Sequence, residues 1–284
     1  MKNILLPSDF SKNSLNAIHY AMDLLKDEPC NFYILNVQKA SSFISDDIIA
    51  SNTSTTIYNT LIDAAKKSIE NIISIVTSEY QNDKHEFFSI VDYDNFIDAI
   101  NQISDEYQID FIIMGTKGAS GLGKKLFGSN TVRVIQRCKT PVLVIPDACK
   151  FKTIEKIAFT TNNLALFNSK EFRVMQHLWE LSKAQLNIIH VADEHHLAQN
   201  QERNEEFFKT YFPEASHDYI DSNSKHIFEA IQNYIAANNI ELLAMMNKKH
   251  SFIERLFTKH MVETFAFKID IPFLVLQLHT NKKK

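Results

Sequence analysis

The chain has 284 residues, 45% of them hydrophobic and 23% charged, and a formal net charge of −4 with a pI near 6.3. A slightly acidic balance argues against general nucleic-acid binding. No apolar run approaches the ~18 residues of a membrane helix, so no membrane partner is expected.

The opening Met1–Pro7 is too short an apolar run for a signal peptide. The three cysteines, Cys30, Cys138 and Cys149, are odd in number and lack metal spacing, which predicts unpaired thiols in a reducing cytoplasm. The length allows one or two domains.

Ile4–Leu6 and Phe32–Val37 read as buried strands separated by a helical stretch near Ser11–Lys26. A second helix is predicted near Ser54–Tyr80, where Leu61, Ala65, Ile69, Ile72 and Val76 recur at helical spacing. A third is expected near Asn95–Tyr107, then an apolar strand at Ile109–Met114.

All five glycines of the chain follow that strand, at 115, 118, 121, 123 and 128. At an average of roughly 7% glycine, about 20 would be expected. Glycine permits φ > 0 and lets backbone approach a ligand closely. A helix is predicted from Asn130 to Arg137. Strand, glycine-rich loop and helix N-terminus together form an anion site, since free amides and the helix dipole both point at the ligand. From Phe111 to Pro146 there is no Asp or Glu, whereas Lys117, Lys124, Lys125, Arg133, Arg137 and Lys139 all lie there. That charge pattern suits a polyanionic small ligand.

Two common phosphate motifs fail. Gly118–Lys125 approaches the P-loop pattern, but Lys125 stands where a Mg²⁺-binding Ser or Thr is needed. The dinucleotide fingerprint fails because the glycine after Gly121 and Gly123 is Gly128, too late by two positions.

The spacing Gly115, Gly118, Gly128-Ser129 fits G-x2-G-x9-G-[ST]. In this the chain resembles the ATP-binding members of the universal stress protein family. Two further elements carry the resemblance: Pro7-Ser8-Asp9 after the first strand, and Val37 ending the second. The last strand, Val142–Ile145, follows Pro141, as in the family. The match covers residues 1–146. It implies a flavodoxin-like α/β domain with five parallel strands and helices on both faces. It also implies that Pro7, Asp9 and Val37 meet the adenosine, that Met114, Gly115 and Gly118 line the ribose and phosphate approach, and that Gly128, Ser129, Asn130 and Thr131 hold phosphates. The implied cofactor is ATP; a Mg²⁺ reached by Ser129 or Thr131 is left open. No catalytic and no resident metal-ligating residue is expected. A slow hydrolase or phosphotransferase is the rival reading, but the loop offers no carboxylate as base or metal ligand.

The strand pattern then repeats. Lys156–Thr161 aligns with Asn3–Ser8 at the first strand, and Leu186–Val191 with Phe32–Val37. Ile240–Met245 aligns with Ile109–Met114, and Pro272–Leu276 with Pro141–Ile145. Two tandem flavodoxin-like domains are predicted, at 1–147 and 152–284, with helices on both faces of each parallel sheet. The second lacks every binding signal. Pro7 maps to Thr160, Asp9 to Asn162, Gly115 to Met246, Gly118 to Lys249 and Gly128 to Lys259. A degenerate second site is expected, and hence one nucleotide per chain in the N-terminal repeat. The basic cluster Lys248–His260 reads as a solvated face. His195-His196 lacks HExxH spacing and reads as a loop rather than a metal site.

The resemblance also concerns assembly. The family's last strand lies at a sheet edge, which must be covered. Pairing of Pro141–Ile145 with Pro272–Leu276, antiparallel, is expected to make an intramolecular pseudo-dimer of the repeats. Homodimerisation of whole chains is left open, and protein partners are not legible.

Overall fold

The computed structural model describes residues 1–38, 53–93, 95–116, 128–147, 149–161, 163, 166–191, 200–220, 227–247 and 270–277. Two compact units are present, and the division falls between Thr140 and Pro141.

In the first unit β1 (Lys2–Pro7) lies between β2 (Cys30–Val37) and β4 (Phe111–Gly115), and β3 (His85–Asp92) pairs with β2 on the outside. All of these pairings are parallel. Ile4, Leu5 and Leu6 are successive residues, so their side chains alternate between faces, yet each is fully buried. Helices must therefore cover both faces, which is why the strands read as unbroken apolar runs.

Those helices are α1 (Lys12–Leu24), α2 (Thr53–Tyr80), α3 (Phe96–Glu106) and α4 (Ser129–Arg137). Each lies within two residues of its predicted bounds. Local chemistry explains the starts. Ser11 Oγ accepts from Ser14 N at 3.3 Å, and Asn95 Oδ1 from Ile97 N at 3.0 Å, each satisfying an amide the helix leaves open. By contrast α4 follows Gly128, which has no side chain to supply such a bond.

The second unit contains β6 (Lys156–Thr161), α5 (Ser169–Ser182), β7 (Gln185–Val191), α6 (Gln201–Tyr211), β8 (Ser216–Ile220), α7 (Ile227–Asn238), β9 (Leu242–Asn247) and β10 (Phe273–Gln277). Its strands β8-β7-β6-β9-β10 are all parallel, and β8-β7-β6-β9 repeat the order β3-β2-β1-β4 of the first unit. One more strand, β5 (Val142–Ile145), clusters with this unit although it belongs by sequence to the first repeat. It runs antiparallel to β10, with Val144 opposite Phe273, Leu143 opposite Leu274 and Val142 opposite Val275. This is the pairing expected from the two proline-led strands.

Outside the loop at 115–128 the chain has no glycine, so its left-handed turns fall on other residues. Phe10, Gln81, Gln108, Asn163, Lys183 and Asn239 have φ between 44° and 63°. Two pairs are related by the repeat: Phe10 with Asn163 after the first strand, and Gln108 with Asn239 before the fourth.

The cysteines are free, and burial pushes the Cys30 and Cys138 thiols up to about 12. Among the described residues no helix is long and apolar enough to cross a membrane, and no cluster of three His, Cys, Asp or Glu could hold a metal ion.

Candidate nucleotide site

In open α/β sheets the natural crevice lies beyond the carboxyl ends of the strands, where the strand order reverses. In the first unit that point is β1, flanked by β2 and β4. A cleft of about 520 Å³, its open mouth included, lies there.

Pro7, Val37, Phe96 and Met114 supply the apolar part of the lining. Ser8, Asp9, Ser14 and Asn36 come from the ends of β1 and β2 and the start of α1. Gly115, Asn130 and Thr131 bring in the end of β4 and the first turn of α4.

Hydrogen bonds hold the β1–α1 turn. Ser8 N donates to Leu35 O at 2.8 Å, and Asn36 Nδ2 donates to Ser8 O at 2.8 Å. Gln38 Nε2 donates to Asn36 Oδ1 at 2.6 Å. Phe10 N donates to Ser8 Oγ at 3.2 Å, and Ser8 Oγ lies 3.1 Å from Ser14 Oγ, which itself donates to Ser11 O at 2.9 Å. Asp9 Oδ1 accepts from Ser11 N at 3.1 Å. These bonds stabilise the left-handed Phe10, a conformation that costs a bulky residue about 1–3 kcal/mol. They present Asp9 to the cleft in one geometry.

The α4 end is built differently. Gly128 N donates to Thr116 O at 2.5 Å, and the first helical bond runs from Val132 N to Gly128 O at 3.1 Å. The amides of Ser129, Asn130 and Thr131 precede that bond and receive none from the Gly128 side chain. Thr131 is buried, and its hydroxyl donates towards Gly115 O at 3.0 Å and Thr116 O at 3.2 Å. It ties the helix start to the end of β4. Its proton is therefore committed within the protein, and Ser129 is the exposed hydroxyl of this turn.

Of the residues expected from sequence, Pro7, Asp9, Val37, Met114, Gly115, Asn130 and Thr131 meet around this cleft. Gly128 and Ser129 stand at the start of α4 but are not in the lining. Gly118, Lys117, Lys124 and Lys125 lie outside the described residues.

Gly115 has a role the sequence did not disclose. A Cβ there would sit 2.8 Å from Asn13 O and 3.1 Å from Asn13 C, both backbone atoms of α1. Its missing side chain makes room for a helix of the same unit. Sequence reasoning also missed Ser8, Ser14, Asn36 and Phe96. Ser8 and Asn36 adjoin expected residues, so neighbourhood alone flagged them. No pattern pointed to Phe96, which arrives only because β2 and β3 end together, with Val37 opposite Asp92 and Gln38 N bonded to Asp92 O at 2.8 Å.

In the second unit the corresponding strand ends are occupied by side chains bonded to one another. Thr161 pairs in register with His190, the residue that aligns with Asn36. Asn163 Oδ1 accepts from Asn204 Nδ2 at 3.2 Å, so its Nδ2 faces His190 Nδ1, 3.0 Å away. His190 Nδ1 is then the acceptor, and its Nε2–H points at His217 Nδ1, 2.9 Å away. Tyr219 stacks on His190 with ring centroids 4.6 Å apart, and its hydroxyl donates to Glu205 Oε1 at 3.0 Å. Burial and the neighbouring His217 push the His190 imidazole down to about 4. The neutral ring is what this relay requires. The expected counterparts Asn162, Lys249 and Lys259, the cluster 248–260 and the pair His195-His196 lie outside the described residues.

The parallel sheet, its covering helices and the cleft at its reversal point define a flavodoxin-like α/β protein. The universal stress protein family model matches residues 1–146. The chain belongs to the universal stress protein family. It is 26% identical over 144 residues to a universal stress protein of Methanocaldococcus jannaschii, covering 51% of this chain and 81% of that one. Over the full length its fold is similar to a universal stress protein of Archaeoglobus fulgidus, with TM-score 0.63, 19% identity and coverage of 99% and 97% of the two chains. A putative universal stress protein of Pseudomonas aeruginosa is similar with TM-score 0.56, 13% identity and coverage of 98% and 93%.

Proposed function

We propose that the protein is a nucleotide-binding regulatory protein of the stress response, acting in the cytoplasm, which holds one ATP in its first repeat. The observation that carries this reading is the cleft at the ends of β1, β2 and β4, whose lining reaches the uncapped start of α4. Apolar side chains suited to a base and the first turn of a helix without a side-chain cap, suited to phosphate, share one cavity. Arg133 and Arg137 on α4, with no acidic residue between Phe111 and Pro146, favour a polyanion further. In this reading the domains are 1–147 and 152–284, and Mg²⁺, where bound, meets Ser129 rather than Thr131. The second repeat binds no nucleotide, because His190, Asn163 and Asn204 satisfy one another where the first repeat keeps a cleft. In this reading the site holds ATP rather than turning it over: among the described residues lining the cleft, the one carboxylate is Asp9, which is bonded to Ser11 N.

Calorimetric titration of the full chain with ATP tests this. The expected result is one ATP per chain, abolished by Gly128→Val with secondary structure retained, since a Cβ there crowds the phosphate end. Two equivalent sites, or binding indifferent to Gly128→Val, would overturn it.

A further inference from the structure

The cleft is lined by a residue that neither the glycine spacing nor the strand motifs mark. Phe96 is the first residue of α3 and is half-buried against the cleft. Asn95 caps α3 through Ile97 N at 3.0 Å, and Gln38 N to Asp92 O at 2.8 Å closes the preceding strand onto β2. Phe96 is thus carried by a fixed helix start rather than a loose loop. Pro7, Val37 and Met114 line the same cleft, all without side-chain hydrogen-bonding groups.

The polar side chains nearby are committed. Asn36 uses its Nδ2 on Ser8 O and its Oδ1 on Gln38 Nε2. Ser8 Oγ receives Phe10 N and lies against Ser14 Oγ. They lock the turn and are poorly placed to read the edge of a base. Beside Asp9, whose carboxylate is bonded to Ser11 N, and Asn130 on the first turn of α4, what remains for a heterocycle is apolar surface and one aromatic ring.

We propose that Phe96 is the base-contacting residue of the cleft, and that the site selects nucleotides by the size of the base, purine over pyrimidine, rather than by side-chain hydrogen bonds to it. This rests on the nucleotide reading above. Contact with an aromatic ring tolerates any base edge, and truncating such a residue to Ala costs roughly tenfold or more in affinity. The larger purine covers more of the ring and of the apolar wall, so it gains more from burial.

The test is calorimetric titration of the full-length protein and of Phe96→Ala, Phe96→Leu and Phe96→Trp with ATP, GTP, UTP and inorganic tripolyphosphate. Thermal unfolding of each variant checks the fold. For the natural chain, ATP and GTP should bind within about tenfold of each other, and both at least about tenfold more tightly than UTP. Phe96→Ala should weaken ATP about tenfold and leave tripolyphosphate unchanged. Phe96→Trp should retain ATP affinity, and Phe96→Leu should lose most of it. Equal loss of ATP and tripolyphosphate in Phe96→Ala, full affinity in Phe96→Leu, or tight UTP binding would overturn the proposal while leaving the nucleotide reading intact. Failure of the natural chain to bind any nucleoside triphosphate would overturn both.

Discussion

A Cβ placed on Gly115 would stand 2.8 Å from the carbonyl oxygen of Asn13. The last residue of β4 is therefore glycine because the first turn of α1 passes over it. Neither partner can yield cheaply, since the contact is with helical backbone rather than with a flexible side-chain end. Gly115→Ala should destabilise the first unit by about 1–3 kcal/mol, the usual cost of overpacking. Its unfolding midpoint in denaturant should fall. Gly128→Val, by contrast, should leave that midpoint nearly unchanged and remove ATP binding. A Gly115→Ala protein as stable as the natural one would remove the steric account.

The poverty in glycine has a measurable consequence. Lys183 closes α5 in a left-handed conformation, φ 54° and ψ 30°, with its N–H bonded to Trp179 O at 2.9 Å. A side chain there costs roughly 1 kcal/mol relative to glycine. Lys183→Gly should raise stability by about 0.5–1 kcal/mol, read by denaturant unfolding. Asn163 shares the backbone conformation but not the outcome. Its side chain bridges His190 and Asn204, so Asn163→Gly should destabilise, because buried partners are left unpaired.

Much of this was legible in the sequence. The strands read as apolar runs because both faces of the sheet are covered, and helix starts followed from Ser11 and Asn95. Of the seven cleft residues expected from sequence, Pro7, Asp9, Val37, Met114 and Gly115 fall at the ends of neighbouring strands and Asn130 and Thr131 at the start of α4, all positions that local sequence encodes. What stayed hidden depends on distant contacts. Gly115 meets Asn13 across more than a hundred residues, and a glycine needed for packing looks the same in sequence as one needed for a ligand. Phe96 reaches the cleft through the register of β2 and β3, which no local pattern reports. His190 read as an ordinary strand residue until its ring met Asn163 and His217.

Acid should loosen the second unit. His190 is held neutral with its pKa near 4, below the ordinary value of about 6.5. The unfolded chain therefore takes up a proton as pH falls through about 6.5, while the folded unit resists until about 4. Stability is full above that window, declines through it, and has lost its share below it. The share is on the order of 3 kcal/mol. The charged and titratable groups facing the ring are His217, Glu205 and Asp218, with Tyr219 stacked on it. Denaturant midpoints between pH 7.5 and 4 should show the decline. His190→Asn, which installs the residue found at the matching position of the first repeat, should flatten it. The first unit should keep a slope of its own from His85, whose pKa burial also lowers. An unaltered slope in His190→Asn would remove His190 as the cause.

The last strand of the first repeat should behave as part of the second unit. Val144 and Val275 are fully buried, on β5 and β10, where Val144 faces Phe273 and Val275 faces Val142. A lysine at either position must bury an unpaired charge or break the pairing, at a cost of several kcal/mol. Val144→Lys and Val275→Lys should therefore depress the same unfolding transition by similar amounts, although they lie in different sequence repeats. Both should also increase protease cleavage near Cys149–Phe151, which follows β5 directly. Stability of the first unit can be followed separately through the proposed ATP binding. If Val144→Lys lowered ATP affinity and left the second unit's transition in place, β5 would belong with the first unit and the antiparallel pairing would be wrong.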